Sequence, residues 1–435
     1  MASLSGAART IIHRTIIHVD LDAFYCAVEE QRDPSLRGRA FAVGARAQDR
    51  GVVASCSYPA RRCGVRSAMA MGLAQRLCPH LLVVPTRHAT YRAVSAQVMD
   101  LLRSFTPQLE QLSIDEAFLD VTELVANNPA LTGRSLALEI QRRVFEELGL
   151  SCSLGVASNK MVAKIATDCG KASVATGHSP QALCVVEPGR EAEFLAPLPV
   201  SALWGVGPKL ESRLKDLGIE TIGALSKWPE RDLMRRFGRH GADLSQHARG
   251  IDKREIVTER ESKSISSETT FVQDVQEWEH LHEALQEQAQ SVAKELQEQK
   301  LQATTVKIKL RWSDFSFSTR QTTLLSSTDA APVIEEAATA LLTRLWVGAE
   351  PVRLLGVGVS GLSTVRQLGL FDDNPDRDIT THEEPPTPKV IAHTEAEIGA
   401  HERRHQRLRE AVALLEARFG SDVVHLGARK NERSL

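Results

Sequence analysis

Two acidic clusters hold the residues best suited to chemistry: His18-Val19-Asp20-Leu21-Asp22-Ala23-Phe24-Tyr25 and Gln111-Leu112-Ser113-Ile114-Asp115-Glu116-Ala117-Phe118-Leu119-Asp120. In each, an apolar run of strand character carries carboxylates into surroundings that disfavour charge. A buried carboxylate without a partner is costly, so such groups are paired or hold a metal. Asp20, Asp115 and Glu116 offer hard oxygen donors from two strands, and the Leu21 carbonyl can add another. Magnesium takes such ligands in near-octahedral geometry and keeps waters or substrate phosphates. Two divalent cations in a carboxylate clamp are an arrangement used for in-line transfer at phosphorus.

Other residues extend this reading. Tyr58 and Arg61 lie one helical turn apart and so face the same way. A guanidinium fork suits phosphate oxygens, and the phenol adds a hydroxyl. The run Leu203-Trp204-Gly205-Val206-Gly207-Pro208-Lys209 precedes a helical pattern that includes Arg213. Glycines there let backbone N–H groups approach a phosphate beside a helix N-terminus. Lys307, Lys309 and Arg311 alternate with Val306, Ile308 and Leu310. A period of two puts the charges on one sheet face and the apolar groups on the other, with Arg320 joining from a paired strand. Last, Gln367-Leu368-Gly369-Leu370-Phe371 places two large apolar side chains in a polar stretch, where they need a purpose.

The elements that must position these groups follow from periodicity. Residues 16–20 read as a buried strand and 23–31 as a helix. Residues 40–44, 52–55 and 81–84 read as short strands around helical stretches at 59–63 and 68–77. An amphipathic helix at 90–105 precedes strands at 109–112 and 117–121. A helix at 135–147, a strand at 153–157 and a helix at 160–167 follow, with Lys171 in the loop beyond. After Gly177 come short helices separated by glycine turns, up to about Gly250. A polar linker, a long helix at 277–299, paired strands at 303–312 and 315–325, a helix at 330–346 and a strand at 352–360 complete the ordered part. Residues 372–400 are rich in Pro, Asp, Glu and Thr and read as disordered; 401–419 recover helical periodicity.

Composition bounds the class. A chain of 435 residues exceeds one ordinary domain. No apolar run reaches the ~18–20 residues of a membrane helix, and residues 1–14 lack the apolar core of a signal peptide. The net charge of −2 argues mildly against a nucleic-acid partner, so the placement of positive residues decides. Seven cysteines, with no C-x-x-C pair, favour a reducing cytoplasm and free thiols over disulfides or a zinc site.

The two acidic clusters, with Tyr58-Pro59-Ala60-Arg61-Arg62-Cys63-Gly64-Val65 between them, resemble a Y-family translesion DNA polymerase, nearest the bacterial DNA polymerase IV branch. The resemblance spans residues 16–371. It implies an α+β multidomain right hand: palm at 16–30 and 85–172, fingers at 31–84, and a helical thumb with a helix-hairpin-helix at 173–250. A linker at 251–262 and an α+β little finger at 263–362 follow. The N-terminal tail is 1–15, a clamp-binding peptide and disordered linker occupy 363–400, and a C-terminal helix and tail 401–435. Residue by residue, the resemblance makes Asp20, Asp115 and Glu116 catalytic metal ligands with the Leu21 carbonyl, for two Mg²⁺, with Mn²⁺ able to substitute. Tyr25 becomes a steric gate against the 2′-hydroxyl. Phe24 stays a core aromatic and Asp22 a structural hydrogen-bonder. Ser55, Tyr58, Arg61 and Lys171 become triphosphate contacts. Gly205, Gly207, Lys209, Lys307, Lys309 and Arg311 face DNA, and Ala45 and Val52 roof the nascent pair. Gln367, Leu368, Leu370 and Phe371 match the sliding-clamp motif. Pro59 stands where many relatives have Glu, and Ala172 where they have Pro.

The implied activity is low-fidelity, template-directed synthesis on primer-template DNA from dNTPs. The implied protein is a cytoplasmic monomer tethered by the clamp. A non-catalytic accessory relative that recruits partners is the alternative; such relatives lose the acidic residues that are present here.

Overall fold

The computed structural model describes residues 13–174, 179–259, 261–347 and 350–364. The Gln367–Phe371 peptide, the 401–435 segment and most of the N-terminal tail lie outside the described residues. Strand β1 (Ile16–Leu21) leads into helix α1 (Phe24–Arg32). Strands β2 (Phe41–Gly44) and β3 (Val53–Cys56), helices α2 (Tyr58–Arg62) and α3 (Met71–Leu77) and strand β4 (Leu82–Val84) form a small layer, with sheet order β3-β2-β4. Its core is its own: Ala42, Val53, Ala60, Val65, Met71 and Ala74 are buried together.

The chain then returns to β1. Helix α4 (His88–Arg103), strands β5 (Leu109–Gln111) and β6 (Glu116–Asp120), helices α5 (Thr122–Asn127) and α6 (Gly133–Leu148), strand β7 (Cys152–Ala157), helix α7 (Lys160–Ser173) and strand β8 (Leu183–Val185) follow. The sheet order is β5-β6-β1-β7-β8, so β1 lies at the centre, antiparallel to both neighbours. Alternation on β1 decides what it presents. Ile17, Val19 and Leu21 pack with Phe24, Val98, Leu102, Ile140 and Val144 on one face. Ile16 packs with Phe118, Met161 and Ile165 on the other, so His18 and Asp20 face α7. Gly155 lets α7 lie close, because a Cβ there would stand 2.0 Å from the Ala163 carbonyl oxygen.

Helices α8 (Glu191–Leu195), α9 (Pro208–Lys215), α10 (Ile222–Ser226), α11 (Glu230–Phe237) and α12 (Arg239–Ala248) share the apolar core beneath α7, through Leu195, Leu214, Leu225 and Leu244. The last layer holds β9 (Ser264–Val275), α13 (Trp278–Glu298), β10 (Leu301–Trp312), β11 (Phe317–Thr328), α14 (Ala331–Leu345) and β12 (Val352–Thr364). Its antiparallel sheet runs β11-β10-β12-β9, and α13 and α14 cover the face that carries Val306, Ile308 and Leu310.

Four expectations need correction. First, Lys171 is in no loop: α7 continues to Ser173. With Ala172 in place of proline nothing removes a helix donor there, and Gly170 brings the helix against Ala182 and Cys184 beside β8. Second, residues 183–185, expected among the helices, form β8 and close the central sheet by parallel pairing with β7. Third, β9 escapes periodicity because only Ile265 of its residues is buried; its ladder to β12 holds it. Fourth, much of the expected linker is fastened down. Buried Asp252 accepts hydrogen bonds from the Met161 N–H and from Arg254, Asn159 Nδ2 donates to the Gly250 carbonyl, and the Val257 N–H donates to Glu110.

Candidate active site

Asp20 and Glu116 are register partners on β1 and β6. The Leu21 N–H donates to the Asp115 carbonyl at 3.0 Å, which ties the loop before β6 to the end of β1. Ser113 shapes that loop. Its hydroxyl donates to Asp115 Oδ1 at 2.6 Å and accepts from the N–H groups of Asp115 and Glu116. Three carboxylates from two separate stretches of chain thus converge at one end of the sheet. Burial pushes the Asp20 carboxyl up to about 6; Lys171 opposes this, while Glu116 and Asp115 add to it. A mostly buried carboxyl among two others, all oxygen donors, fits a hard divalent cation.

Helix α7 supplies the opposing charge as a ladder. Lys160 Nζ meets Glu110 at 2.6 Å, Lys164 Nζ meets Glu116 at 2.8 Å, and Lys171 Nζ meets Asp20 at 2.5 Å. Between them the Thr167 hydroxyl donates to the Ala163 carbonyl and lies 2.9 Å from His18 Nδ1. Its single proton is thereby used, so His18 Nδ1 carries the hydrogen toward it. Burial, with Lys164 and Lys171 nearby, holds the imidazole well below its usual range and therefore neutral. Lys164 is a functional neighbour that the sequence reading did not single out. The available signal was lysine at positions four and eleven residues after Lys160, one stripe on an otherwise apolar helix.

Asp22, two residues from Asp20, points elsewhere. It accepts from Ser153 Oγ at 2.8 Å, Ser179 Oγ at 2.9 Å and the Gln181 N–H at 3.1 Å, and its side chain is fully buried. It pins β1 to β7 and to the entry of β8, the structural role expected of it.

Around the acids stand the other expected groups. Tyr25 is half-buried and stacks on Tyr91, ring centroids 4.1 Å apart and planes 15° apart; the Tyr91 hydroxyl donates to Glu29 at 2.7 Å. Burial first, and then the negative charge of Asp115, push the Tyr25 phenol up. Phe24 is buried in the core. On α2, the Arg61 guanidinium lies 4.8 Å over the Tyr58 ring and its Nε donates to the Cys56 carbonyl. Burial raises the Tyr58 phenol well above its usual range, and the charges of Asp22 and Asp20 add to the shift while Arg61 opposes it. Pro59 sits in the first turn of α2, where no donor is lost. Ser55 is buried on β3 within 3.6 Å of Cys26 Sγ. Ala45 and Val52 are exposed.

The groups expected to face DNA are distributed over the two later layers. Gly205 has φ 97°, a left-handed value that glycine tolerates, and Gly207 caps α9 with nothing within 4 Å of where a Cβ would stand. Lys209 is exposed. Arg213 instead packs 4.7 Å over the Phe237 ring and donates to the Arg236 carbonyl, which gives it an internal role. Lys307, Lys309 and Arg311 share the open face of β10, and Lys309 reaches across Gly356 of β12 to pair with Glu268 of β9 at 2.7 Å; Arg320, expected beside them, is instead the register partner of Ile308 and so lies on the other face.

Comparison with known proteins bears on this arrangement. The impB/mucB/samB family profile matches residues 19–168, its C-terminal domain profile 262–370, and the IMS family HHH motif 188–219. The chain is 41% identical over 361 residues to a DNA polymerase IV of Desulfatibacillum aliphaticivorans, covering 82% of this chain and 88% of that relative. It is 41% identical over 348 residues to a DNA polymerase IV of Gluconobacter oxydans, covering 80% and 95%. Among solved structures, a Y-family DNA polymerase chimera, Dbh-Dpo4(243-245)-Dbh, aligns with a TM-score of 0.72 at 26% identity, over 80% of this chain and 99% of that one. The insertion ternary complex of Dbh DNA polymerase aligns at 0.57 with 26% identity, over 80% and 98%.

Proposed function

The chain belongs to the impB/mucB/samB family, the Y-family DNA polymerases, and from that premise we propose how its residues carry out low-fidelity translesion synthesis. It is a DNA-directed DNA polymerase with primer-template DNA and dNTP as its partners. Asp20, Asp115 and Glu116, with the Leu21 carbonyl, hold two Mg²⁺, Mn²⁺ being the substitute. The observation that carries this reading is the convergence of three carboxylates at the β1–β6 register pair, where the Asp20 carboxyl already sits near 6. The ions' chemistry, when bound, is activation of the primer 3′-hydroxyl and neutralisation of charge on the transferring phosphate.

The chain's own groups do the rest. The primer 3′-oxygen attacks the α-phosphorus, the bond to the β-phosphate oxygen breaks, and pyrophosphate leaves. Arg61 and Lys171 meet the triphosphate as fixed cations, with the Tyr58 and Ser55 hydroxyls as added donors. Tyr25, braced by Tyr91, lies under the incoming sugar and excludes a 2′-hydroxyl. Exposed Ala45 and Val52 form an open roof over the base pair, which favours tolerance of damaged templates over accuracy.

In domain terms, the five-stranded sheet is the palm, the three-stranded layer the fingers, α8–α12 the thumb and β9–β12 the little finger. Gly205, Gly207 and Lys209 grip backbone phosphates, and Lys307, Lys309 and Arg311 line the duplex. Gln367, Leu368, Leu370 and Phe371 tether a monomeric enzyme to the sliding clamp, which raises processivity by effective concentration. No helix among the described residues is long and apolar enough to cross a membrane.

Primer extension by wild type against Asp115→Ala tests the assignment. Loss of extension with primer-template binding retained supports it; undiminished extension in the variant refutes it.

A further inference from the structure

The small layer contains a second set of metal-competent side chains, far in sequence from the carboxylates. Cys63 caps the C-terminus of α2, its N–H bound to the carbonyls of Ala60 and Arg61. Cys78 caps α3, and the Leu81 N–H returns to the Cys78 carbonyl at 2.9 Å. That turn holds Cys78 and His80 on the same side. The Cys63 and Cys78 thiols and a His80 ring nitrogen all lie within 4.8 Å of one another, and Cys78 Sγ stands 3.6 Å from His80 Nε2. Cys78 is buried, Cys63 half-buried and His80 exposed. Cys63 and His80 line a cavity of about 460 Å³, together with Arg39, Pro59 and Arg62.

We propose that Cys63, Cys78 and His80 form a site for a soft divalent cation, Zn²⁺ above others, with its fourth position open to that cavity. Tetrahedral Zn²⁺ with bonds of about 2.3 Å to sulfur and 2.0–2.1 Å to nitrogen sets its ligand atoms roughly 3.5–3.8 Å apart. The Cys78–His80 separation of 3.6 Å already lies in that range, and Cys63 Sγ lies within 4.8 Å of both. Thiolate and imidazole select Zn²⁺ over the hard cations suited to the carboxylate cluster. Two thiolates neutralise the dication, so the arginines at the rim do not oppose it. The bound ion would staple the end of α2, the helix that bears Tyr58 and Arg61, to the turn after α3. The absence of a C-x-x-C pair hid this site, because its ligands meet only through the packing of two helix ends.

Co²⁺ added to the reduced full-length protein is the probe. Thiolate ligation gives an intense sulfur-to-cobalt absorption that an all-oxygen carboxylate site cannot give. The expected result is such a band saturating at a single equivalent, bleached by Zn²⁺, and absent in Cys63→Ser. His80 is exposed, so His80→Ala leaves the core intact. That variant should weaken binding by at least the roughly 10- to 100-fold that even an outer-shell loss costs. Zn²⁺ should also raise the melting temperature of wild type more than that of His80→Ala. Absence of the band in wild type, or an unchanged band in both variants, overturns the proposal.

Discussion

Asp20 and Glu116 face each other across the β1–β6 ladder, and each is met by a lysine from the same helix, Lys171 at 2.5 Å and Lys164 at 2.8 Å. The two lysines are seven residues apart, about two helical turns, so one stripe of α7 serves both acids. The central sheet and a single helix therefore set the position and the charge of the acidic cluster together.

Replacing Asp20 should trade activity for stability. Its carboxyl rises from 3.8 to about 6 on folding, chiefly through burial. A raised value means the folded state holds the proton more tightly, so the stabilisation is complete below about 3.8 and is lost as pH rises through about 6. In chelator, wild type should weaken over that window, and Asp20→Asn should not. At neutral pH the variant should be the more stable by something on the order of 1–3 kcal/mol, and it should not extend primers. Thermal melts across pH, with EDTA or Mg²⁺, check this: Mg²⁺ should stabilise wild type and leave the variant nearly unchanged.

Lys171→Gln should move the acid limb of the kcat/KM profile to higher pH. Lys171 is the principal influence holding the Asp20 carboxyl down, so its removal lets that carboxyl rise further. The lost charged contact to the triphosphate should lower kcat/KM for dNTP by about 10- to 150-fold, the equivalent of roughly 1.5–3 kcal/mol. An unshifted limb would separate Lys171 from Asp20 in function.

Tyr25→Ala should admit ribonucleotides. A ring fixed by stacking at 4.1 Å on Tyr91 cannot retreat from an added hydroxyl. An overpacking cost of roughly 1–3 kcal/mol corresponds to a fall in sugar discrimination of about 5- to 150-fold. Incorporation of rNTP against dNTP in single-turnover assays measures it, and Tyr25→Phe should retain discrimination.

Lys160→Ala should destabilise the fold by about 3–5 kcal/mol, because it strands a buried Glu110. Glu110 also accepts the Val257 N–H, and Lys160 Nζ donates to the Glu255 carbonyl, so residues 252–257 should exchange amide hydrogens faster in this variant. The Lys160→Met, Glu110→Gln pair should recover much of the lost stability. Denaturant melts and hydrogen exchange report both effects.

Much of the site was legible before the fold. Asp20, Asp115 and Glu116 stood out because strands of apolar residues ended in acid, a local pattern with few other uses. The alternation of Lys307, Lys309 and Arg311 with apolar residues was legible for the same reason: a period of two encodes which side faces the core. Lys164 was not legible as a partner of Glu116, since the two lie 48 residues apart and meet only where α7 crosses the sheet. Strand β9 was hidden because backbone pairing, not side-chain burial, holds it.

The sequence by itself determined the residue types of the reaction centre, the order of the layers and the strands that bear the acids, because these rest on local periodicity and on the chemistry of single side chains. Only the tertiary structure decided the lysine ladder, the Tyr25–Tyr91 stack, the partners that Asp22 pins and the meeting of Cys63, Cys78 and His80. Each of those depends on how closely two elements approach and at what register, and that is fixed by packing shape, as where Gly155 lets α7 settle onto β7, and not by any pattern along the chain.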